Sequence, residues 1–172
     1  MSYFLPIDKE EQLVVVLALY VLNALGNRRP KKVQVLRFIR ARRLITFHAD
    51  DSALRSTGEE KWMNDFAWAR EDAKQRGLLA MPEVGIWKIT DAGKAWIVER
   101  AKRWAELCEK NPSSKTDFLA RCRRLNEVTF THMILIGRGI DVTKLPMVAM
   151  NDSPLTARSS EQCSPQLATS NV

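Results

Sequence analysis

A run of ten apolar residues lies near the start of this chain, from Leu13 to Leu22, and it sets narrow limits on the fold. The run is about half of the ~20 residues that a membrane-spanning helix needs, and Glu10 and Glu11 precede it, so we expect neither a transmembrane span nor a secretory signal. Helical spacing extends from Asp8 to Gly26, which predicts a helix that ends at the glycine. Because this helix has no polar face, it is either the centre of the core or half of a dimer interface.

A second and a third helix are predicted after this one. Pro30 suits the first turn of the second, although residues 33–39 also alternate as a strand would. After a connector at residues 44–56, Thr57 and Glu60 have the spacing of a capping box that would start the third helix, and Gly77 would end it. The predicted apolar stripes are Val35, Leu36, Phe38 and Ile39 in the second helix, and Trp62, Phe66, Ala69 and Ala73 in the third.

The rest of the chain is predicted to contain a hairpin, further helices and a tail. Residues 78–81 and 86–89 have the composition of two short strands joined by the loop Pro82–Gly85. Thr90 is a suitable N-cap for a fourth helix from Asp91 to about Lys110. Residues 113–136 favour a fifth helix, although Val128 to Thr131 has strand-like composition. Small polar residues and proline dominate after about Asn151, which predicts a flexible tail.

Three helices followed by a hairpin and a further helix is the order of a winged helix-turn-helix domain. The predicted fold is therefore mostly α, with three helices, a short β-hairpin wing and additional C-terminal helices. We assign residues 8–97 to the winged helix, 98–150 to a helical extension and 151–172 to the tail. The extension is expected to dimerise the chain, unless its aromatic rings belong to one enlarged core. Those rings are Trp96, Trp104, Phe118 and Phe130.

Three short blocks in this region occur in a recognisable order. They are Trp68-Ala69-Arg70, Gly77-Leu78-Leu79 and Gly85-Ile86-Trp87-Lys88-Ile89-Thr90-Asp91-Ala92-Gly93. Together they resemble the N-terminal winged-helix domain of the Mrr family of modification-dependent restriction proteins, over about residues 13–97. The resemblance implies DNA binding by a small reader domain that normally accompanies a nuclease. After about residue 100 the chain departs from that pattern, and we expect no room there for the usual catalytic domain.

The distribution of charge points to the same ligand. The chain carries 27 Lys and Arg against 20 Asp and Glu, a net charge of +7, and eight basic residues with no acid lie between Arg28 and Arg43. Eight like charges repel each other unless a partner neutralises them, so we expect this segment to hold DNA phosphates. The candidate phosphate-binding residues are Arg28, Arg29, Lys31, Lys32, Arg37, Arg40 and Arg43.

Base contacts are predicted at the start of the third helix. Lys61 and Asn64 lie there, and both residue types can hydrogen-bond to base edges. Residues 59–76 contain five acids against four bases, so the second half of this helix would be repelled by phosphates. In the wing, Lys88 is the candidate contact, but the loop itself holds an acid and no base, so we do not expect it to insert into the minor groove.

Trp68 has two interpretations. In the first, which the family resemblance favours, the hairpin covers Trp68, so that its ring meets Trp87 in the core. Otherwise it is exposed and serves as an anchor for stacking or for a partner protein.

Residues that carry catalytic or metal chemistry are sparse. Three cysteines at wide spacing and two histidines predict no disulfide framework and no metal site. Glu59-Glu60-Lys61 matches the acid-x-Lys triplet of some nucleases and follows Asp50 and Asp51, but a capping box explains the acids without catalysis. We therefore predict a non-enzymatic protein that binds double-stranded DNA without a cofactor, as a homodimeric regulator of transcription or of a defence locus in the cytoplasm, associated with the nucleoid. The alternative is a protein-interaction adaptor on the same scaffold, and a catalytic restriction subunit ranks third.

Overall fold

The computed structural model describes Leu5 and residues 9–145 of the chain. The predicted tail at residues 151–172 and the end of the predicted extension lie outside these residues. The described part is mostly helical with one two-stranded antiparallel sheet, which confirms a winged helix with additional C-terminal helices. The elements are α1 (Glu10–Ala24), α2 (Lys32–Ala41), α3 (Lys61–Gln75), β1 (Leu79–Ala80), β2 (Lys88–Ile89), α4 (Asp91–Lys110), α5 (Ser113–Arg121), α6 (Glu127–Gly137) and a 3₁₀ turn at Val142–Lys144.

Helix α1 is the centre of the core. All residues from 12 to 19 are buried, and the helix packs against α2, α3, α4 and β2. The chain itself therefore covers the apolar surface that a dimer interface would otherwise have used. Gly26 follows the helix with φ +98°, the left-handed conformation that ends helices. In the part of the chain that the structure describes, no helix is long and apolar enough to cross a membrane.

The wing is tied to the start of α2. Lys31 forms an isolated antiparallel bridge with Ile86, two residues before β2. The Lys32 N–H then donates to the Gly85 carbonyl at 2.9 Å, and α2 begins at that residue. Residues 33–39 are thus helical, although their alternation also fitted a strand. After the bridge at Lys31, the apolar stripe of the segment packs on α1 as a helix.

Helix α3 buries the predicted stripe of Trp62, Phe66, Ala69 and Ala73, but the predicted capping box is wrong. The helix begins at Lys61, and the N-cap is Glu60, whose side chain makes no capping bond. Gly58 has φ +79° in a turn that an antiparallel bridge between Leu54 and Glu60 closes. Because a left-handed residue cannot continue a right-handed helix, the segment first turns back on itself.

The fifth predicted helix is divided into α5 and α6, and residues 126–136 belong to α6 or its N-cap rather than to a strand. The division falls where three backbone N–H groups donate to the Glu10 carboxylate, those of Arg123 at 3.2 Å, Arg124 at 2.9 Å and Leu125 at 2.9 Å. The buried Arg124 guanidinium also donates to both oxygens of Asp51, at 2.6 and 2.8 Å. These bonds to α1 and the connector interrupt the helical hydrogen-bond pattern and attach the extension to the winged helix.

The aromatic residues expected at a dimer interface pack largely inside one chain. The Trp104 ring stacks on Phe130 at 5.1 Å between centroids and contacts Phe118 edge-on at 5.3 Å, and all three residues are buried. Trp96 is partly buried, and the guanidinium carbons of Arg76 and Arg100 lie 5.5 and 5.1 Å from its ring centroid. The extension and the winged helix therefore share one enlarged core.

Candidate nucleic-acid interface

The outward face of α2 and the first turn of α3 enclose a groove of about 290 Å³. Helical residues four apart share a face, so α2 aligns its cations along the groove. Three of the predicted phosphate-binding residues are thereby placed beside the helix that was predicted to read bases. The lining residues are Lys32, Val33, Leu36, Arg37 and Arg40 from α2, with Glu59, Trp62 and Met63 on the other side.

Acidic residues that are distant in sequence neutralise part of the basic run. Lys32 Nζ lies 2.5 Å from Glu59 Oε1, and Arg40 Nη2 lies 2.9 Å from Glu60 Oε2. The sequence showed no acid within this run, but the turn before α3 supplies these two carboxylates. Each pair is partly exposed, and partly exposed ion pairs contribute only about 0–1 kcal/mol. A phosphate can therefore replace either carboxylate at little cost in stability.

A second basic depression, of about 620 Å³, lies at the foot of the wing. Arg28, Arg29 and the wing candidate Lys88 line it, together with Lys94 from the first turn of α4. Arg29 also reaches the loop of the wing, where its Nη2 lies 3.0 Å from Glu83 Oε1. Lys94 was not identified from the sequence, because nothing local indicates that the start of α4 approaches the turn after α1.

The predicted phosphate-binding residues thus do not form one cluster, because Arg28 and Arg29 line the depression at the wing and Lys32, Arg37 and Arg40 line the groove on α2. Arg28 lies at the wing end, Arg37 in the middle, and Arg43 beyond the last turn of the helix. These three residues and the exposed Lys31 have no ion pair within the described part of the chain. They are therefore the cations that can meet phosphates without first releasing a carboxylate.

The structure separates the two candidate base contacts. Lys61 is turned toward the connector, and its Nζ lies 3.0 Å from Asp50 Oδ2. Asn64 lies on the outward side of α3, about 160° from the buried Phe66 at ~100° per residue. Its side chain is partly exposed and has no hydrogen bond among the described residues. Asn64 is therefore the better placed of the two for a base edge.

Trp68 is 66% exposed, so the expectation that it meets Trp87 beneath the hairpin is wrong. Trp87 is buried beneath Arg70 instead, with the guanidinium carbon 5.6 Å from the ring centroid. Trp68 precedes Arg70 by two residues, which at ~100° per residue turns it to the far side of α3. The hairpin packs on the flank that carries Arg70 and leaves the indole of Trp68 in solvent.

The acid-x-Lys triplet at residues 59–61 is occupied by structural contacts. Glu59 pairs with Lys32, Lys61 pairs with Asp50, and Glu60 accepts both the Arg40 guanidinium and the Trp62 indole N–H, the latter at 2.9 Å. Within Leu5 and residues 9–145, no group of three or more His, Cys, Asp or Glu is placed to hold a metal ion.

The other titratable residues of interest serve packing. Burial lowers the pKa of His132, whose Nδ1 is 2.8 Å from the Val128 carbonyl oxygen. Burial also raises the pKa of the Cys122 thiol to about 12, which keeps it protonated and unreactive. Cys108 is partly buried, and burial raises its pKa as well. Cys163 lies outside the described residues.

Comparison with known proteins identifies the segment that carries this site. Residues 16–99 match the family model described as the Mrr N-terminal domain, close to the residues 13–97 predicted from the three sequence blocks. The match extends from α1 into α4 and includes the whole wing. Comparisons with curated proteins and with solved structures gave no match.

Proposed function

Since residues 16–99 match the family model of the Mrr N-terminal domain, we propose that this chain binds double-stranded DNA, with α2 on the phosphates and the start of α3 at the base edges. The observation that carries the proposal is the groove in which Lys32, Arg37 and Arg40 of α2 lie beside the first turn of α3. From Lys32 to Arg40, α2 extends over about 12 Å at 1.5 Å per residue, which is the axial length of about three base-pair steps, each adding one phosphate per strand for ~3.4 Å of duplex axis.

Binding exchanges carboxylates for phosphates at part of this surface. Arg37 meets the DNA directly, whereas Lys32 and Arg40 first leave Glu59 and Glu60. The released carboxylates stay near the DNA and oppose binding. We therefore expect moderate affinity that falls steeply as salt is added.

We assign recognition of the DNA sequence to the first two turns of α3. Asn64 can form a bidentate contact with adenine, as this residue type does in the major groove. Farther along the helix, Glu71 and the exposed Asp72 repel the backbone, although Arg70 at 2.7 Å and Lys74 at 3.8 Å reduce the charge of Glu71. The helix therefore approaches DNA with its N-terminal end foremost.

Fluorescence anisotropy of a labelled duplex between 50 and 200 mM salt tests the proposal. The logarithm of the binding constant is expected to fall linearly with the logarithm of salt concentration. Arg37→Glu should reduce both the affinity and the slope, whereas Lys102→Glu, an equal charge change on an exposed part of α4, should have a much smaller effect. Asn64→Ala should weaken only some of the sequences recovered by selection from a random pool. An affinity that does not change with salt concentration would contradict the proposal, and so would equal losses of affinity in the two charge variants.

We further propose that the chain binds DNA without cleaving it and regulates transcription or a defence locus, which would place it on the nucleoid in the cytoplasm. The structural contacts of residues 59–61 support a non-catalytic role for that triplet. The proposal keeps a homodimer, which would place two copies of α3 on related half-sites. The aromatic rings support the dimer less than the sequence suggested, because three of the four are buried within one chain. Light scattering that gives the mass of one chain would remove the dimer from the proposal.

The exposed Trp68 favours a second candidate function, an adaptor that binds another protein. A large aromatic side chain in solvent is typical of an interface anchor. A duplex that binds the wild-type chain in a salt-dependent manner supports the DNA function. Absent or salt-insensitive binding supports the adaptor.

A further inference from the structure

A broadly open cavity of about 790 Å³ lies at the C-terminal end of α2, between the connector and the start of α6. Its volume is within the range of small-molecule sites. Ile45, Phe47 and Val128 form much of the apolar wall, and Arg40 and Arg43 contribute to its polar lining. Arg40 also lines the groove between α2 and α3, so the cavity adjoins the surface proposed for DNA phosphates.

Phe47 presents an aromatic surface in this cavity. The residue is 40% exposed, although a phenylalanine is usually buried. Its ring is held in place by two neighbours. The Trp62 ring contacts it edge-on at 5.2 Å between centroids, and the Arg40 guanidinium lies 5.7 Å from its centroid. An exposed and immobilised ring of this kind is a stacking platform for a base.

While Arg40 stays paired with Glu60, the cavity has one positive charge that is not already neutralised. Its three carboxylates are each paired: Glu60 with Arg40 at 2.9 Å, Asp51 with Arg124 at 2.6 Å, and Glu127 with Lys115 at 2.7 Å. Arg43 is exposed at the rim and has no ion pair within the described part of the chain. The cavity is therefore matched to a ligand with one anionic group.

The position of Arg43 is fixed by an uncommon backbone conformation. Among the described residues, Arg43 is the one non-glycine with positive φ, at +53°, and the Asn126 side-chain amide donates to its carbonyl at 2.9 Å. Residues other than glycine adopt this conformation mainly where surrounding contacts hold them, often at functional sites. The same contact joins the rim to the N-cap of α6.

Polar groups for the edge of a base are also present. His48 Nε2 lies 2.8 Å from the Arg123 carbonyl oxygen, which requires a proton on that nitrogen. In the neutral ring, Nδ1 then accepts hydrogen bonds. The Ser52 hydroxyl lines the cavity as well and can donate or accept.

We propose that this cavity binds one nucleotide, with its base stacked on Phe47 and its phosphate on Arg43. The proposal rests on the DNA binding proposed above, since the nucleotide we assign is an unpaired one in a duplex that lies on α2. A free nucleoside monophosphate has the same chemistry, so the experiment must separate the two sources.

The test compares the affinity of the full chain for a fully paired duplex and for the same duplex with one unpaired adenine. Stacking on Phe47 predicts about tenfold tighter binding of the second duplex. Phe47→Leu should abolish this preference, because leucine fills the space without a ring, whereas Phe47→Tyr should preserve it. Arg43→Asn should also reduce it, since asparagine tolerates the left-handed backbone but carries no charge.

Adenosine monophosphate, titrated into the chain alone, supplies the second arm. Three results together would show that the cavity is a site for free nucleotides and that the DNA source is wrong. AMP would bind saturably, Phe47→Leu would abolish that binding, and the two duplexes would bind with equal affinity. If there is neither AMP binding nor a preference for the unpaired adenine, or if the preference survives in Phe47→Leu, the proposal is overturned. A chain that binds no duplex contradicts the proposed function, while the AMP arm still decides the cavity.

Discussion

The ion pair of Arg124 and the ion pairs on α2 differ in how far they are exposed to solvent. Arg124 is 1% exposed and meets Asp51, which is also buried, through two hydrogen bonds. Arg40 and Lys32 on α2 are half or one-third exposed, and each has one carboxylate partner. The first arrangement holds two parts of the fold together, whereas the second leaves the cations able to change partners.

The difference follows from the cost of removing charges from water. A buried cation that loses its partner leaves uncompensated charge in the interior, so such a pair is retained once formed. An exposed pair gains little over hydration and is screened by salt. A basic residue can therefore be assigned to structure or to ligand binding from its burial and its number of partners. The sequence alone does not show that Arg124 is buried and paired whereas Arg40 is exposed.

The largest effect is expected at Arg124. Arg124→Ala would leave Asp51 buried without its main partner and would remove the cation that also lies 3.4 Å from Glu11 and 3.5 Å from Asp65. We expect the free energy of unfolding to fall by about 3–5 kcal/mol, as it does when one member of a buried pair is removed. Urea denaturation followed by circular dichroism measures this change.

Arg123→Ala is the matched control, because the neighbouring side chain is exposed. Its effect should be within about 0.5 kcal/mol, as for ordinary surface substitutions. Equal effects of the two substitutions would show that Arg124 does not hold the extension to the winged helix.

The pH dependence of stability provides a second, smaller effect. Burial raises the pKa of Asp51, but hydrogen bonds from Arg124 and from the His48 backbone N–H, together with nearby positive charge, lower it more. Its pKa is thus below the ordinary value in the folded chain. The stability that it contributes is present above the ordinary pKa of an aspartate, about 4, and is lost as pH falls through the folded pKa.

Thermal unfolding between pH 7 and pH 3 tests this sign. Stability should decrease toward the acid end, and Asp51→Asn should be less stable at pH 7 but show a shallower decrease. Asp72→Asn, on the exposed side of α3, should follow the wild-type curve. An Asp51→Asn curve parallel to wild type across this range would mean that Asp51 does not link folding to protonation.

The sequence predicted the elements whose signals are local. Thr90 begins α4 as expected, with its hydroxyl accepting the Gly93 N–H at 3.0 Å, and the stripe of α3 from Trp62 to Ala73 is buried. Both depend only on residues within one or two turns. The spacing of Thr57 and Glu60 fits a capping box, but the prediction was wrong. Gly58 between them adopts a left-handed conformation, which the spacing of residues does not reveal.

The candidate site was predicted less completely, because it depends on contacts between distant residues. The basic run was evident, but its partners Glu59 and Glu60 approach it only when the turn before α3 folds against α2. The exposure of Trp68 depends on which flank of α3 the hairpin covers. The cavity at Phe47 brings together α2, the connector and the start of α6, and no local pattern indicates that they meet.

The exposed pairs on α2 predict a modest gain of DNA affinity when a carboxylate is removed. Glu59→Gln would free Lys32 for a phosphate and remove a negative charge from the groove. We expect duplex binding to tighten by about two- to fivefold, with less than about 1 kcal/mol lost from the free energy of unfolding. Anisotropy titrations at 100 mM salt measure the first quantity and urea denaturation the second.

Glu109→Gln controls for net charge, because it removes an exposed carboxylate from the end of α4. It should change the affinity by much less. If both variants bind DNA equally, net charge rather than the groove controls affinity, and the contrast between exposed and buried pairs would not account for DNA binding.

The smallest effect on stability is expected at Trp68, whose side chain lies mostly outside the core. Trp68→Ala should change the free energy of unfolding by no more than about 0.5 kcal/mol. Of the five tryptophans, Trp62, Trp87 and Trp104 are buried and Trp96 is partly buried, so iodide should quench mainly Trp68. If α3 faces the DNA, a saturating duplex should protect this fluorescence from iodide, and the protected fraction should disappear in Trp68→Phe. Quenching that the duplex leaves unchanged, while the duplex still binds with a steep salt dependence, would place Trp68 outside the DNA contact and available to a protein partner.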